Sequence, residues 1–188
     1  AVLMAGQYLF DKESSVPSHV YTANEFVYDT PKNLCEKSVV ISCSHSGNTP
    51  ETVAATKLAR SKGPITICLS NLEGSPSWEA AEYPVHYDWG KDVSDSDKNK
   101  GILYGLLFKL LGVLAADAKW DICFKELEKL TELSTKAKEQ YDAQAKQWAK
   151  DNKRKKTIYT IGSGINYGEV YSTAMCWFME MQWINSGC

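Results

Sequence analysis

The sequence predicts an α/β protein built on a parallel sheet with helices on both faces. Short β-branched apolar runs recur, above all Ser38–Cys43 and Ile65–Leu69, "ITICL". Helical periodicity alternates with them across short connections, as in Glu51–Ser61. The runs are continuously apolar rather than alternating, which marks strands buried on both faces of a parallel sheet.

The elements follow in order. Ala1–Phe10 reads as an apolar helix and His19–Ala23, "HVYTA", as a short strand. Ser38–Cys43 is a strand, and Glu51–Ser61 a helix whose inner face is Ala54, Ala55, Leu58 and Ala59. Lys62-Gly63-Pro64 stops that helix. After the strand Ile65–Leu69, Ser75 before Pro76 suits an N-cap and first helical position for Ser75–Ala81. Val85–Tyr87 is a short strand, and Gly101–Ala118 and Ile122–Lys150 are two long helices. Lys109, Asp117 and the glycines make Gly101–Ala118 a core helix rather than a membrane span. The charged stretch "KDNKRKK" is a solvated linker, after which the pattern restarts. Thr157–Ile161 is a strand, Gly162-Ser163-Gly164 a glycine turn and Gly168–Ile184 a helix. Residues 1–150 are thus expected to form one domain with long C-terminal helices, and residues 151–188 a linker and the first βα unit of another.

Composition narrows the function. The 188 residues suit one domain or one domain and part of a second. A hydrophobic share of 44%, a charged share of 23% and a net charge of −2 describe a globular protein with no electrostatic footprint for nucleic acid. The six cysteines form no Cys-x-x-Cys pair and read as buried free thiols of a reducing, cytoplasmic compartment. The three histidines do not cluster with Cys or Glu at ligand spacing, so no metal is expected; no cofactor and no membrane partner are expected either. The sequence opens on Ala1 without an N-cap and stops just after an apolar helix, so both ends are expected to be cut.

The stretch after Cys43, Ser44-His45-Ser46-Gly47-Asn48-Thr49, packs little and offers hydroxyls and backbone N–H groups. In a parallel sheet such a loop lies at the carboxyl edge, where ligands bind. The following helix adds unpaired N–H groups and the positive end of its dipole, a setting that suits phosphate. Ser44, Ser46 and Thr49 supply hydroxyl donors, and Gly47 lets the backbone turn and approach. The alternative is simple helix capping by Asn48 or Thr49, which needs one such residue rather than several.

"SCSHSGNTPET" resembles the Ser-x-Ser-Gly-x-Thr loop of the SIS (sugar isomerase) domain family, which binds phosphosugars. "GSGINYGEVYSTAMCWFMEMQWINSGC" is similar to the second SIS domain of deglycases acting on 6-phosphorylated Amadori compounds, and "GKDVSDSDKNKG" adds to the likeness. The resemblance spans essentially the whole chain. It implies a flavodoxin-like three-layer sandwich with the start of a second SIS domain, a sugar phosphate ligand and a homodimer or higher homo-oligomer. It also implies a first strand before Ala1 and further chain after Cys188.

Within Val170–Ile184, "VYSTAMCWFMEMQWI", Glu180 is the one charged residue. A helix apolar nearly all round is expected to be buried, with Glu180 desolvated among Cys176, Trp177, Trp183 and Ile184 and suited to act as a general base. The competing reading is a structural glutamate paired with a Lys or Arg from elsewhere. The resemblance implies the former, since Glu180 falls on the catalytic glutamate of sugar-phosphate isomerising SIS enzymes. Glucosamine 6-phosphate synthase-type domains carry a lysine one turn earlier, where this chain has Trp177. The deglycases also use a histidine in a His-Gly-Pro motif, which the resemblance implies would fall beyond Cys188. Asn185 stands where close relatives often carry histidine. His45 is expected at the phosphate through its backbone N–H above all. Lys98 and Ser163 are possible substrate contacts, against a solvated helix end for Lys98 and a vestigial phosphate turn for Ser163.

The implied reaction releases glucose 6-phosphate and a free amino acid from a fructosamine 6-phosphate. Two readings stay beside it. One is an aldose–ketose isomerase or glucosamine 6-phosphate deaminase on the same scaffold. The other is a non-catalytic phosphosugar sensor.

Overall fold

A computed structural model describes residues 2–188; Ala1, counted above in the first helix, lies outside them. The elements are α1 (Met4–Glu13), α2 (Ala23–Tyr28), β1 (Val39–Cys43), α3 (Pro50–Ser61), β2 (Ile65–Ser70), α4 (Pro76–Ala80) and β3 (Tyr83–His86). They continue as α5 (Asn99–Ala115), α6 (Lys119–Glu126), α7 (Leu130–Asn152), β4 (Thr157–Tyr159), α8 (Tyr167–Ser172) and β5 (Asn185–Gly187). The chain divides into two compact units: His19–Val93 with Asp97–Leu103, and the residues up to Ser18 with Ser94–Ser96 and Tyr104–Cys188.

The first unit holds a three-stranded parallel sheet of order β1-β2-β3. β2 is central, and Thr66–Ser70 are buried on both faces, as a continuously apolar run requires. α3 packs on β1 and β2, and α4 on β2 and β3. The inner face of α3 differs from the expected one. Ala54 is exposed, while Thr56 and Ala59 are buried. Thr56 is accommodated because its hydroxyl reaches Ser42 Oγ at 2.9 Å and donates to the Thr52 carbonyl at 2.8 Å.

The expected strand His19–Ala23 does not form. Residues 19–22 are irregular and Ala23 opens α2. Thr22 and Glu25 form a capping box there. Thr22 Oγ1 accepts from Glu25 N–H, and the Glu25 carboxylate accepts from Thr22 N–H. That local signal outweighs the β-branched composition of "HVYT".

In the second unit, α5 buries Leu107 and Leu111, one turn apart. No helix among the described residues is long and apolar enough to cross a membrane. The expected helix Ile122–Lys150 is broken by a 3₁₀ turn at Leu127–Lys129 between α6 and α7. The expected single helix Gly168–Ile184 is α-helical only in α8, and Thr173–Met181 is a π-helix. β4 pairs with β5 in parallel, a strand not foreseen from the sequence.

The six thiols are all unpaired, but they are not uniformly buried. Cys35 and Cys188 are exposed, and Cys68 is fully buried. Burial, with Cys68 nearby, pushes Cys43 up to about 11. The Lys37 backbone N–H and the Ser38 hydroxyl lower Cys35 from its ordinary value. Since the thiolate is the nucleophile, iodoacetamide is expected to alkylate Cys35 well before Cys43 or Cys68. Peptide mapping after timed alkylation checks the order; modification of Cys68 in folded protein at the Cys35 rate contradicts it.

Candidate functional site: a hydroxyl-rich loop and a glutamate in a π-helix

β1 delivers the chain to Ser44 at the carboxyl edge of the sheet, and α3 starts six residues later. The ladder continues one step past the strand, with Ser44 N–H donating to the Leu69 carbonyl at 3.1 Å. Gly47 N–H then donates to the Ser44 carbonyl at 3.2 Å, closing a tight turn. Asn71 N–H donates to the His45 carbonyl at 3.2 Å and Ser77 N–H to the Gly47 carbonyl at 2.9 Å. The loop is therefore clamped by the segment after β2 and by α4.

Ser44 is buried and its hydroxyl donates to Thr49 Oγ1 at 3.2 Å. Ser46, His45 and Thr49 are exposed. Ser46 Oγ accepts from Asn48 N–H at 3.2 Å. Thr49 is the N-cap of α3 and Pro50 its first residue, yet no side chain caps the helix. The capping alternative is therefore not what the hydroxyls do. The N–H groups that open α3 carry no side-chain acceptor, and the dipole end of a twelve-residue helix faces the same loop.

Gly47 has φ +65°. A Cβ there would lie 1.8 Å from Ser75 Oγ and 2.4 Å from Ser75 Cβ. Both backbone conformation and space thus demand glycine. Ser75 is an N-cap by position, as expected, but its hydroxyl makes no cap bond; it faces Ser70 Oγ at 3.5 Å.

The structure brings together Ser44, His45, Ser46, Gly47 and Thr49 in one loop. Lys98 belongs to the same compact unit, half-buried just ahead of α5, where its carbonyl accepts from Ile102 N–H at 2.9 Å. Three residues beside the loop were not singled out from the sequence. His45 Nδ1 lies 2.9 Å from Tyr87 Oη, and its ring meets Trp89 edge-on at 5.3 Å between centroids. Asn71 Nδ2 donates to the Tyr87 carbonyl at 2.8 Å. Tyr87 and Trp89 follow β3, so they lie at the same carboxyl edge; the parallel order of the strands is the signal that could have found them.

Glu180 and Ser163 belong to the other compact unit. Ser163 precedes a 3₁₀ turn at Gly164–Asn166 and is exposed. The change from α to π geometry falls at Thr173, whose hydroxyl donates to the Glu169 carbonyl at 2.8 Å, a back-bond that disturbs helical regularity. Glu180 lies in the last turn of the π-helix. Its expected burial is not found: Glu180 is exposed, beside Trp177 at 59% and Trp183 at 90% exposure. The wider π turn shifts neighbours from i±3 and i±4 toward i±5, so the expected α-helical cage of Cys176, Trp177, Trp183 and Ile184 does not form. Trp183 has φ +57°, and Ile184 N–H donates back to the Phe178 carbonyl at 2.9 Å. A bulky residue in that region is a genuine outlier, and such outliers cluster at functional sites.

Gly47→Ala places a side chain in both the strained conformation and the Ser75 contact. It is expected to destabilise the fold by about 1–3 kcal/mol, read by chemical denaturation. Wild-type stability contradicts the clamp.

The SIS domain family model matches residues 4–104, more than half of the chain. Fructosamine deglycase FrlB of Bacillus subtilis (strain 168) is 44% identical over 187 residues, covering 99% of this chain and 57% of that protein. A candidate phosphosugar isomerase from Bacillus subtilis, solved by crystallography, superposes with a TM-score of 0.96 at 43% identity, covering 99% of this chain and 57% of that one. Another from Salmonella typhimurium LT2 gives 0.95 at 33% identity over the same shares. The chain thus spans just over half the length of these relatives. Loop, parallel sheet and family match agree: the chain belongs to the SIS domain family.

Proposed function

We propose that the protein is a deglycase that cleaves a 6-phosphorylated fructosamine to glucose 6-phosphate and a free amino acid. The observation that carries this reading is the 44% identity to a fructosamine deglycase along 99% of the chain. The uncapped start of α3 behind Ser44–Thr49 supports the phosphate half of it.

In this reading Ser46, Thr49 and the backbone N–H of His45 hold the 6-phosphate, while Ser44 and Gly47, whose O–H and N–H are engaged inside the loop, shape it from within. Glu180 is the base. The C–N bond of a ketosamine does not hydrolyse directly. Glu180 takes a proton from C1 while the C2 carbonyl oxygen gains one, giving an enaminol. Return of a proton to C2, with loss of one from nitrogen, gives the aldimine. Water adds to C1 and the nitrogen leaves as the amine. Lys98 and Ser163 are assigned to substrate contact. We divide the SIS domains at the charged stretch after Lys150, a reading supported by the separate β4–β5 pair. We place the protein in the cytoplasm as a homodimer or higher homo-oligomer.

The exposure of Glu180 in this chain favours a second reading, phosphosugar binding without turnover. One assay separates the readings. The intact protein is incubated with a fructosamine 6-phosphate, and amino acid and glucose 6-phosphate are quantified. Equimolar release supports the deglycase. Interconversion of fructose 6-phosphate and glucose 6-phosphate without amine release points to an isomerase, and binding alone to a sensor. Glu180→Gln is expected to fold, bind and lose about 10²–10⁴-fold in kcat. Each hydrogen bond to a charged group is worth about 1.5–3 kcal/mol, so Ser46→Ala/Thr49→Ala is expected to raise KM at least about tenfold. A double variant with wild-type KM refutes the loop assignment.

A further inference from the structure

Tyr87 is the group beside the loop that the proposed chemistry leaves unused. It is 1% exposed, so its hydroxyl proton needs an acceptor inside the protein. Among the described residues its hydrogen-bond partner is His45 Nδ1, at 2.9 Å. Burial, followed by the nearby Cys43 and Cys68, raises the phenol above its ordinary value, so it keeps its proton. Were Nδ1 instead to carry a hydrogen and donate to the phenol oxygen, the buried O–H would be left unpaired, which is the costly arrangement. A ring nitrogen that accepts bears no hydrogen, so in the neutral ring the proton sits on Nε2. The two nitrogens lie on different edges of the ring. With Nδ1 turned to the buried phenol, Nε2 faces away from it, and His45 is exposed. The edge-on contact with Trp89 limits rotation of the ring. His45 is itself anchored through its carbonyl to Asn71 N–H, and Asn71 Nδ2 holds the Tyr87 carbonyl, so the pair is tied at both ends.

We propose that Tyr87 is a positioning residue: by donating to His45 Nδ1 it fixes the Nε2–H tautomer and presents Nε2–H as a neutral donor to an anion in the Ser44–Thr49 loop. The inference rests on the phosphate-loop reading, to which it adds a side-chain donor. It assigns His45 more than its backbone N–H. A neutral donor serves a phosphate ester held by hydroxyls and amides without adding a fixed charge that would hold the product as tightly as the substrate.

The test uses the intact protein labelled with ¹⁵N-histidine, with the His45 resonances identified by their loss in His45→Gln. At a pH well above the ordinary histidine range, the wild type is expected to show a bare Nδ1 and a protonated Nε2, the latter shifting on addition of inorganic phosphate or glucose 6-phosphate. Tyr87→Phe keeps the ring and removes the donor. It is expected to return His45 to a mixture of tautomers and to weaken glucose 6-phosphate binding about two- to tenfold, with KM rising more than kcat falls. A wild type with the proton on Nδ1 overturns the proposal, and that measurement needs no variant. So does a folded Tyr87→Phe protein with unchanged tautomer and affinity. If Nε2–H is found but neither phosphate compound moves any loop signal, the anion role of His45 falls together with the loop assignment.

Discussion

The proposed site hangs on a backbone clamp around a six-residue loop. Ser44–Thr49 is held by main-chain hydrogen bonds to Leu69 at the end of β2, to Asn71 just after it and to Ser77 in α4. The clamp works because Gly47 takes a left-handed conformation and leaves room for Ser75. With the carbonyls of His45 and Gly47 held by Asn71 and Ser77, the loop keeps the hydroxyls of Ser46 and Thr49 and the side chain of His45 exposed. An anion receptor without lysine or arginine depends on that rigidity, because neutral donors bind well only when their geometry is already set. The SIS domain match and the structural likeness to phosphosugar isomerases agree with a fold organised around this loop.

Much of this was legible in the sequence. The strands β1 and β2 announce themselves as β-branched runs, and α3 by its periodicity after a proline. Gly47 among hydroxyl residues marks the turn. What failed did so for local reasons. "HVYT" has strand composition, but Thr22 and Glu25 cap a helix, and a cap acts on nearest neighbours that composition ignores. Thr56 sits on the inner face of α3 because Ser42, fourteen residues earlier, supplies a partner. Tyr87 and Trp89 reach His45 only through the order of the sheet, which no short-range pattern encodes.

The second unit teaches a different lesson. An apolar helix with a single glutamate reads as buried, and the α-helical repeat assigns that glutamate its neighbours. The chain instead switches to a π-helix at Thr173 and ends it with Trp183 in a left-handed conformation. π segments are rare and recur at functional sites. The irregularity falls where the resemblance implies the reacting carboxylate, and the proposed base thereby sits at the end of a strained element rather than in the middle of a regular one. Trp177, Met179, Met181 and Trp183 are exposed around it.

In the proposed site the start of α3 and the loop before it bind the phosphate group and not the sugar. Backbone amide NMR of the intact protein, titrated separately with glucose 6-phosphate, inorganic phosphate and glucose, tests it most directly. The amide signals of His45–Thr49, Glu51 and Thr52 are expected to move with both phosphate compounds and to stay in place with glucose. Signals that ignore phosphate, or that respond equally to glucose, would contradict it.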